Sequence, residues 1–149
     1  MRLTQYTDFS LRVLIYLTAL SEEERANIQQ IADAYNISKN HLMKVVHQLA
    51  KLGYVESTRG RGGGIRLNKH PRDINIGEVV RVTEDDFHLV ECFDREKNTC
   101  VLSPSCRLKG VLYEALQAYL AVLDEYTLED LTRNRGMLRE LLGGLGNEG

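Results

Sequence analysis

The chain has 149 residues, of which 43% are hydrophobic and 27% charged, with two prolines and a formal net charge of −2. That is the composition of a folded protein of about one domain, able to bury a core without disulfides, and it excludes a disordered or low-complexity chain. No apolar run approaches the roughly 18 residues of a membrane helix, and MRLTQYTDFS lacks a cationic and then apolar export signal, so the expectation is a cytoplasmic protein with no membrane partner.

The small net charge hides a division. Residues 27–70 hold seven basic and two acidic side chains, a balance of +5, whereas residues 71–149 hold nine basic and fifteen acidic ones, a balance of −6. A basic segment inside a nearly neutral chain marks a place for an anionic partner.

Residues 8–20 (DFSLRVLIYLTAL) are apolar almost all round, which predicts a helix buried on most faces. Asp8 falls in its first turn, with Thr7 as the expected N-cap, and Glu22, Glu23 and Glu24 mark a solvated loop after it. Asn27 starts a second helix running to about Tyr35, with Gln30 at capping-box spacing and Ile28, Ile31 and Ala32 facing inward. After the Asn36-Ile37 turn, Ser38 is a favourable N-cap for a third helix, in which Leu42, Val45, Val46, Leu49 and Leu52 form one apolar side and Gly53 the stop. Its opposite side is Asn40, Lys44, His47 and Lys51, with no acid among them. Two strand-like runs follow, 54–58 and 65–68, joined by Arg59-Gly60-Arg61-Gly62-Gly63-Gly64, too rich in glycine for a strand interior.

Three helices and then a hairpin is the winged helix-turn-helix order, with the helix-turn-helix over about 27–52 and the wing over 54–68. A short helix over 75–83, packing through Ile76, Val79 and Val80, closes a DNA-binding unit of residues 1–83. Residues 84–106 are acidic and poorly periodic. A long helix over 107–126 then carries two adjacent apolar stripes, Leu108-Leu112-Ala115-Tyr119-Val122-Tyr126 and Tyr113-Leu116-Leu120-Leu123. Together they span roughly 200°, against about 100° for a helix lying on one core, which assigns one stripe to the chain's own core and the other to a partner subunit of a homodimer. Thr127 and Asp130 offer a capping box for a short last helix in 127–149, which ends in the tail GGLGNEG. The fold class is therefore mainly α with a small β-hairpin wing, a winged helix-turn-helix plus a long C-terminal dimerisation helix.

A helix face of Asn, Lys, His and Lys suits a major groove, where Asn addresses adenine and Lys reaches guanine or phosphate. The expected DNA contacts are Ser38, Lys39, Asn40, His41, Lys44 and His47 on that helix, with Arg59 and Arg61 on the glycine-rich tip reaching phosphates or a minor groove. A plain solvated helix face accounts for the first feature alone, and its conjunction with the arginine tip favours double-stranded DNA. The RGRGGG run joins strand to strand and so fits neither a dinucleotide nor a P-loop motif. No acid–base constellation stands outside these segments, and an enzyme is not expected.

All three cysteines, Cys92, Cys100 and Cys106, lie in the irregular segment with C-x7-C-x5-C spacing. Zinc sites usually pair ligands as C-x2-4-C and thioredoxin-like sites need C-x-x-C, so neither fits. Three thiolates on a loop can wrap a larger object such as an iron–sulfur cluster, normally held by four protein ligands, and the fourth must come from elsewhere or be absent.

The segments LTQYTDFSLRVL, NISKNHLMKVVHQLAKLGYVESTRGRGGGIRL, NIGEVVR and the cysteine loop resemble the iron–sulfur winged-helix regulator family over nearly the whole chain. The cysteine spacing, with TEDDF and VEC before it, is similar to the family's nitric-oxide-sensing repressors. The resemblance implies a homodimeric repressor of a palindromic operator, a cluster that is [4Fe-4S] in preference to [2Fe-2S], and nitric oxide as the signal that releases DNA. It also implies an aspartate as fourth ligand, matched here by Asp8. Another branch places a histidine three residues beyond the last cysteine; here that position is Lys109, whose ammonium cannot ligate. His88, four residues before Cys92, is the rival donor, favoured by ligand softness alone. The alternative functions are a same-fold regulator of cluster supply or thiol redox state and, further off, an electron-transfer protein.

Overall fold

The first helix, α1 (Gln5–Ala19), begins earlier than its apolar period suggests, because Thr4 and not Thr7 is its N-cap: the Thr4 hydroxyl accepts the Thr7 N–H at 3.3 Å. The polar first turn adds nothing to the apolar pattern, so the pattern alone misses it. In the computed structural model, which describes residues 1–143, Val13, Leu14, Tyr16, Leu17 and Ala19 of α1 are buried at the centre of the main core. Both ends of α1 are tied to distant segments. At the N-terminus Glu84 accepts from the Thr4 N–H (3.0 Å), the Thr4 hydroxyl (2.6 Å) and the Thr7 hydroxyl. At the C-terminus Arg135 donates to the Leu20 carbonyl, and Arg139 donates to the Ala19 carbonyl (2.6 Å) and to Glu24 (3.0 Å). A carboxylate at one end and guanidinium groups at the other complement the helix dipole.

The expected capping box of Asn27 and Gln30 starts α2 (Ile28–Tyr35), and Asn36 closes it in the left-handed region at φ 54°. Ser38 caps α3 (Lys39–Lys51), whose Leu42, Val45, Val46 and Leu49 are buried against α1 and α2. Leu52 departs from its predicted inward place: the helix has already ended at Lys51, and Leu52 is 38% exposed at the cap. The wing pairs β1 (Val55–Thr58) with β2 (Gly64–Leu67) antiparallel, Val55 opposite Leu67. It is anchored to the body by reciprocal backbone bonds between Ile65 and Ala26, at 2.7 and 3.0 Å. Gly64 makes this possible, since it has φ +142° and a Cβ there would lie 2.9 Å from the Ala26 carbonyl oxygen.

Helix α4 (Ile76–Thr83) runs against the end of α5 (Arg107–Asp124), the long helix, which stops short of its expected end at 126. A dense clip joins them. Arg81 grips the Asp124 carboxylate with both terminal guanidinium nitrogens, Asn75 Nδ2 donates to the Asp124 carbonyl at 2.7 Å, and the Ile76 N–H donates to the Tyr126 carbonyl at 2.9 Å. Val80, Leu116 and Leu120 form a second small core here, with Leu3, Leu11, Phe87, Leu89 and Phe93 packed on it. Thr127 and Asp130 form the expected capping box of α6 (Leu128–Leu131). A further helix, α7 (Arg135–Leu141), is present where the sequence separated no second element, and Leu138 and Leu142 pack it onto the main core. Of the tail GGLGNEG, residues 144–149 lie outside the described residues.

Two consequences for stability follow from these contacts. A Cβ at Gly77 would fall inside the Asp124 carboxylate and against its backbone nitrogen, so Gly77→Ala must push α4 from α5; a loss of about 1–3 kcal/mol is expected from the denaturant midpoint, at unchanged m value. An unshifted midpoint would show that the clip tolerates the displacement.

The second concerns acid. Hydrogen bonds from the Ser21 backbone and side chain, aided by Arg139, hold Glu24 down at about 2. Burial pushes the Glu84 carboxyl up, but the donors on Thr4 and Thr7 outweigh it and leave it below the ordinary value. Both groups are depressed on folding, so their stabilisation is full above an ordinary carboxyl value near 4.5 and is lost as pH falls toward about 2. The melting temperature should therefore drop below about pH 4.5, and less steeply in the Glu24→Gln, Glu84→Gln double variant. Equal slopes in the two proteins would assign acid sensitivity elsewhere.

Candidate nucleic-acid interface and cysteine loop

The outward side of α3 is as the sequence orders it: Lys39, Asn40, Lys44, His47 and Lys51 are all exposed. Two of the expected contacts have structural duties as well. The Ser38 hydroxyl accepts the His41 N–H at 3.1 Å as the helix cap. The half-buried His41 ring packs edge-on against Phe9 of α1, with centroids 4.8 Å apart. Sequence reasoning also passed over Met43. Three residues after Asn40 and four before His47, it lies on the same face, 47% exposed. Its spacing was readable, but an apolar side chain was assigned to no surface.

At the wing, Arg59 and Arg61 are exposed on the tip, where Gly60 and Gly62 adopt φ +88° and +77°. The other wing cation is engaged in holding it: Arg66 pairs with Glu56 across the strands at 3.1 Å, and from outside the wing Arg25, in the loop before α2, donates to the Thr58 hydroxyl.

Asp8 faces Arg12 one turn on, and its two carboxylate oxygens accept from Nε and a terminal nitrogen of the guanidinium, each at 3.0 Å. Arg12 in turn lies over the rings of Phe9 (5.6 Å) and Tyr35 (5.9 Å). Tyr35 donates its hydroxyl to the Arg12 carbonyl at 2.8 Å, and burial pushes its pKa up to about 12, so it remains a donor at any physiological pH. Asp8, Arg12, Phe9 and His41 thus form a continuous series of contacts from the start of α1 to the first turn of α3.

The cysteine segment between α4 and α5 contains only single-turn helices. Cys92 sits in one of them (Glu91–Phe93), half-buried; Cys100 is exposed; Cys106, half-buried, is the N-cap of α5, its Sγ accepting the Lys109 N–H at 3.4 Å. Lys109 therefore meets Cys106 through its backbone. Asn98 to Ser103 (2.7 Å) and Thr99 to Glu91 (3.1 Å) brace the loop, and Phe93 meets Tyr113 of α5 edge-on. The three thiols are free of disulfides. Among the described residues no three His, Cys, Asp or Glu side chains come together as a metal-holding group, so neither Asp8 nor His88 is gathered with the thiols. His88 instead faces Asp86 and Asp94, at 3.7 and 3.9 Å. The donor set nevertheless fits an iron–sulfur centre: three soft thiols on one irregular segment, one of them already receiving an amide N–H of the kind that tunes cluster sulfurs.

On α5 the two predicted stripes do not divide cleanly into an inner and an outer one. Leu116 and Leu120 are buried in the second core with Leu123 and Tyr119, one from each stripe, packed on it, whereas Leu108, Tyr113 and Val122, with Val111 from neither stripe, are between 54% and 62% exposed. None of the described helices is long and apolar enough to cross a membrane.

Residues 3–134 match the Rrf2 family, described as an iron-dependent transcriptional regulator. The chain is 66% identical over 142 residues to the HTH-type transcriptional regulator NsrR of Bacillus subtilis, covering 95% of this chain and 97% of that protein. Among solved structures it is similar to CymR, the global cysteine regulator of B. subtilis, at 30% identity and a TM-score of 0.73, covering 90% of this chain and 98% of that one. It is also similar to T. potens IscR, at 25% identity and a TM-score of 0.71, covering 90% and 88%.

Proposed function

The chain belongs to the Rrf2 family of iron-dependent transcriptional regulators, and we propose that it is a homodimeric repressor that leaves its operator in response to nitric oxide. It is a DNA-binding transcriptional regulator rather than an enzyme. The observation that carries the proposal is the series of contacts from Asp8 to His41, which joins a candidate metal ligand to the helix that would read DNA.

In this reading α3 lies in the major groove, with Lys39, Asn40, His41, Lys44 and His47 toward the bases and phosphates, Ser38 ordering its first turn, and Arg59 and Arg61 reaching the backbone from the wing. Cys92, Cys100 and Cys106 would hold an iron–sulfur cluster, [4Fe-4S] in preference to [2Fe-2S], and Asp8, which is not gathered with the thiols within one protomer, would reach it across the homodimer as fourth donor. When bound, the cluster supplies iron open to small ligands such as nitric oxide, because a hard carboxylate is a poor match for a soft site. Asp8 would then have two uses, accepting from Arg12 or serving as a ligand, and an exchange between them would be felt by Arg12, by the Phe9 ring beneath it and by His41. The exposed face of α5 pairs two copies, so that two α3 helices address half-sites of a palindrome about one helical turn apart, where a small change in the angle between the two α3 helices spoils the register. Support for nitric oxide as the signal comes from the cysteine spacing and from the 66% identity to NsrR.

Three experiments test this. Full-length protein loaded with iron and sulfide without oxygen should select a palindromic duplex from a random-sequence pool, and nitric oxide should abolish binding in step with loss of visible absorbance; bleaching with undiminished affinity would refute the sensor. Asp8→Ala should change the visible spectrum of the loaded protein, whereas an unchanged spectrum would return the fourth position to His88 or a small molecule. Arg59→Ala with Arg61→Ala should weaken binding and lower the slope of log affinity against log salt by roughly one to two units, as expected for the loss of two phosphate contacts.

A further inference from the structure

We infer that Met43 is a base-reading residue, and that it recognises the C5 methyl group of a thymine in each half-site. The inference rests on the DNA-reading role proposed for α3. On that helix the inward side is complete without Met43: Leu42, Val45, Val46 and Leu49 are buried at 0–3% exposure. Met43 projects from the other side, 47% exposed, between Asn40 one turn before and His47 one turn after.

Every other exposed side chain of that face offers a hydrogen-bond donor or acceptor or a positive charge. Met43 offers a flexible thioether chain with no donor and only a weak acceptor. Such a group gains on binding only by leaving water for an apolar surface. Along the major-groove edge of B-DNA, donors and acceptors make up most of what each base pair displays, and the apolar group there is the thymine methyl. Met43 is the fifth of the thirteen residues of α3, and it is the N-terminal part of a recognition helix, flanked here by base- and phosphate-reaching side chains, that meets the base edges and not the sugar–phosphate rim. Methionine's three rotatable bonds let it meet a methyl group at a position not fixed in advance.

The test uses the full-length chain and the duplex it selects from a random pool, remade with each thymine of one half-site replaced singly by uracil, which removes the methyl group and leaves the pairing edge intact. Loss of one buried methyl contact corresponds to roughly fourfold in affinity. Wild-type protein should bind one of the uracil duplexes about three- to tenfold more weakly than the parent duplex. Met43→Ala should bind that uracil duplex and its parent equally, and Met43→Leu should restore the discrimination. Wild type indifferent to every uracil exchange, or Met43→Ala retaining the discrimination, would overturn the inference while leaving DNA reading in place. A chain that selects no sequence at all would overturn the DNA-reading role, and this inference with it.

Discussion

Helix α1 is held at both ends by charges that arrive from opposite parts of the chain, and the arrangement of the other elements depends on that suspension. At its N-terminus, the Glu84 carboxylate at the end of α4 takes up the Thr4 amide and two hydroxyl groups. At its C-terminus, Arg135 and Arg139 of α7 take up carbonyls that have no partner within the helix. Between these ends α1 supplies the centre of the core, on which α3, α4, α6, α7 and the wing strand β2 all rest. The N-terminal tie also sets the origin of the cysteine loop, because that loop leaves from Glu84. The loop's other end is the Cys106 cap of α5, and α5 is fixed to α4 by the Arg81–Asp124 grip. The acidic cysteine segment is therefore pinned at both ends to the body that presents α3, although its own interior holds only single-turn helices.

This layout explains the charge division of the sequence. The basic residues of 27–70 are the outward face of α3 and the wing, and the acids of 71–149 are spent in caps, in grips on arginine and around the cysteines. Asp124, Asp130 and Glu84 are each held below their ordinary pKa by such hydrogen bonds, from Arg81, from Thr127 and Arg133, and from Thr4 and Thr7 respectively. They are structural acids, and their number says nothing about a ligand. Arg66 is paired with Glu56 and Lys69 lies over Tyr54, but Lys39, Lys44 and Lys51 of α3 and Arg59 and Arg61 of the wing tip have no comparable duty and are left for a polyanion.

Much of this was legible because local chemistry and tertiary demand agree. The capping boxes at Asn27 and Thr127, the Ser38 cap, the four buried positions of α3 and the glycine-rich wing tip all follow from rules that operate within a turn or two of chain. What was not legible depends on partners far along the sequence. Thr4 is an N-cap whose hydroxyl is also bound to Glu84, eighty positions away, and nothing near it in the sequence announces that. Helix α7 is too short to show a period, and it persists because Leu138 and Leu142 find the core and its arginines find the end of α1. Leu52 fits the apolar period but falls one residue past the helix, where the period no longer governs direction. The cysteine spacing marks a loop, yet the approach of thiols to one another is a tertiary matter on which spacing is silent. The Asp8–Arg12 pair was readable as an i, i+4 contact, and only the rings beneath Arg12 show why it matters.

The magnitudes around Asp8 decide how such a device would operate. Its pair with Arg12 is bidentate, but the two side chains are 45% and 42% exposed, so solvent screens it and its worth is that of a surface ion pair, about 0–1 kcal/mol. Placement of Asp8 in the first turn of α1 adds a dipole contribution of about 0.3–1 kcal/mol, which survives whichever partner it takes. Exchanging Arg12 for another partner therefore costs Asp8 little. The core beneath is less forgiving: Val13, Leu14 and Tyr16 are almost fully buried, and displacing even one methylene in such packing costs about a kilocalorie per mole. A device built this way has an inexpensive contact at its surface and a rigid body behind it. In the proposed switch, a change of partner at Asp8 would then be expressed as reorientation of Arg12, Phe9 and His41 at the α1–α3 boundary, with the core of α1 left packed.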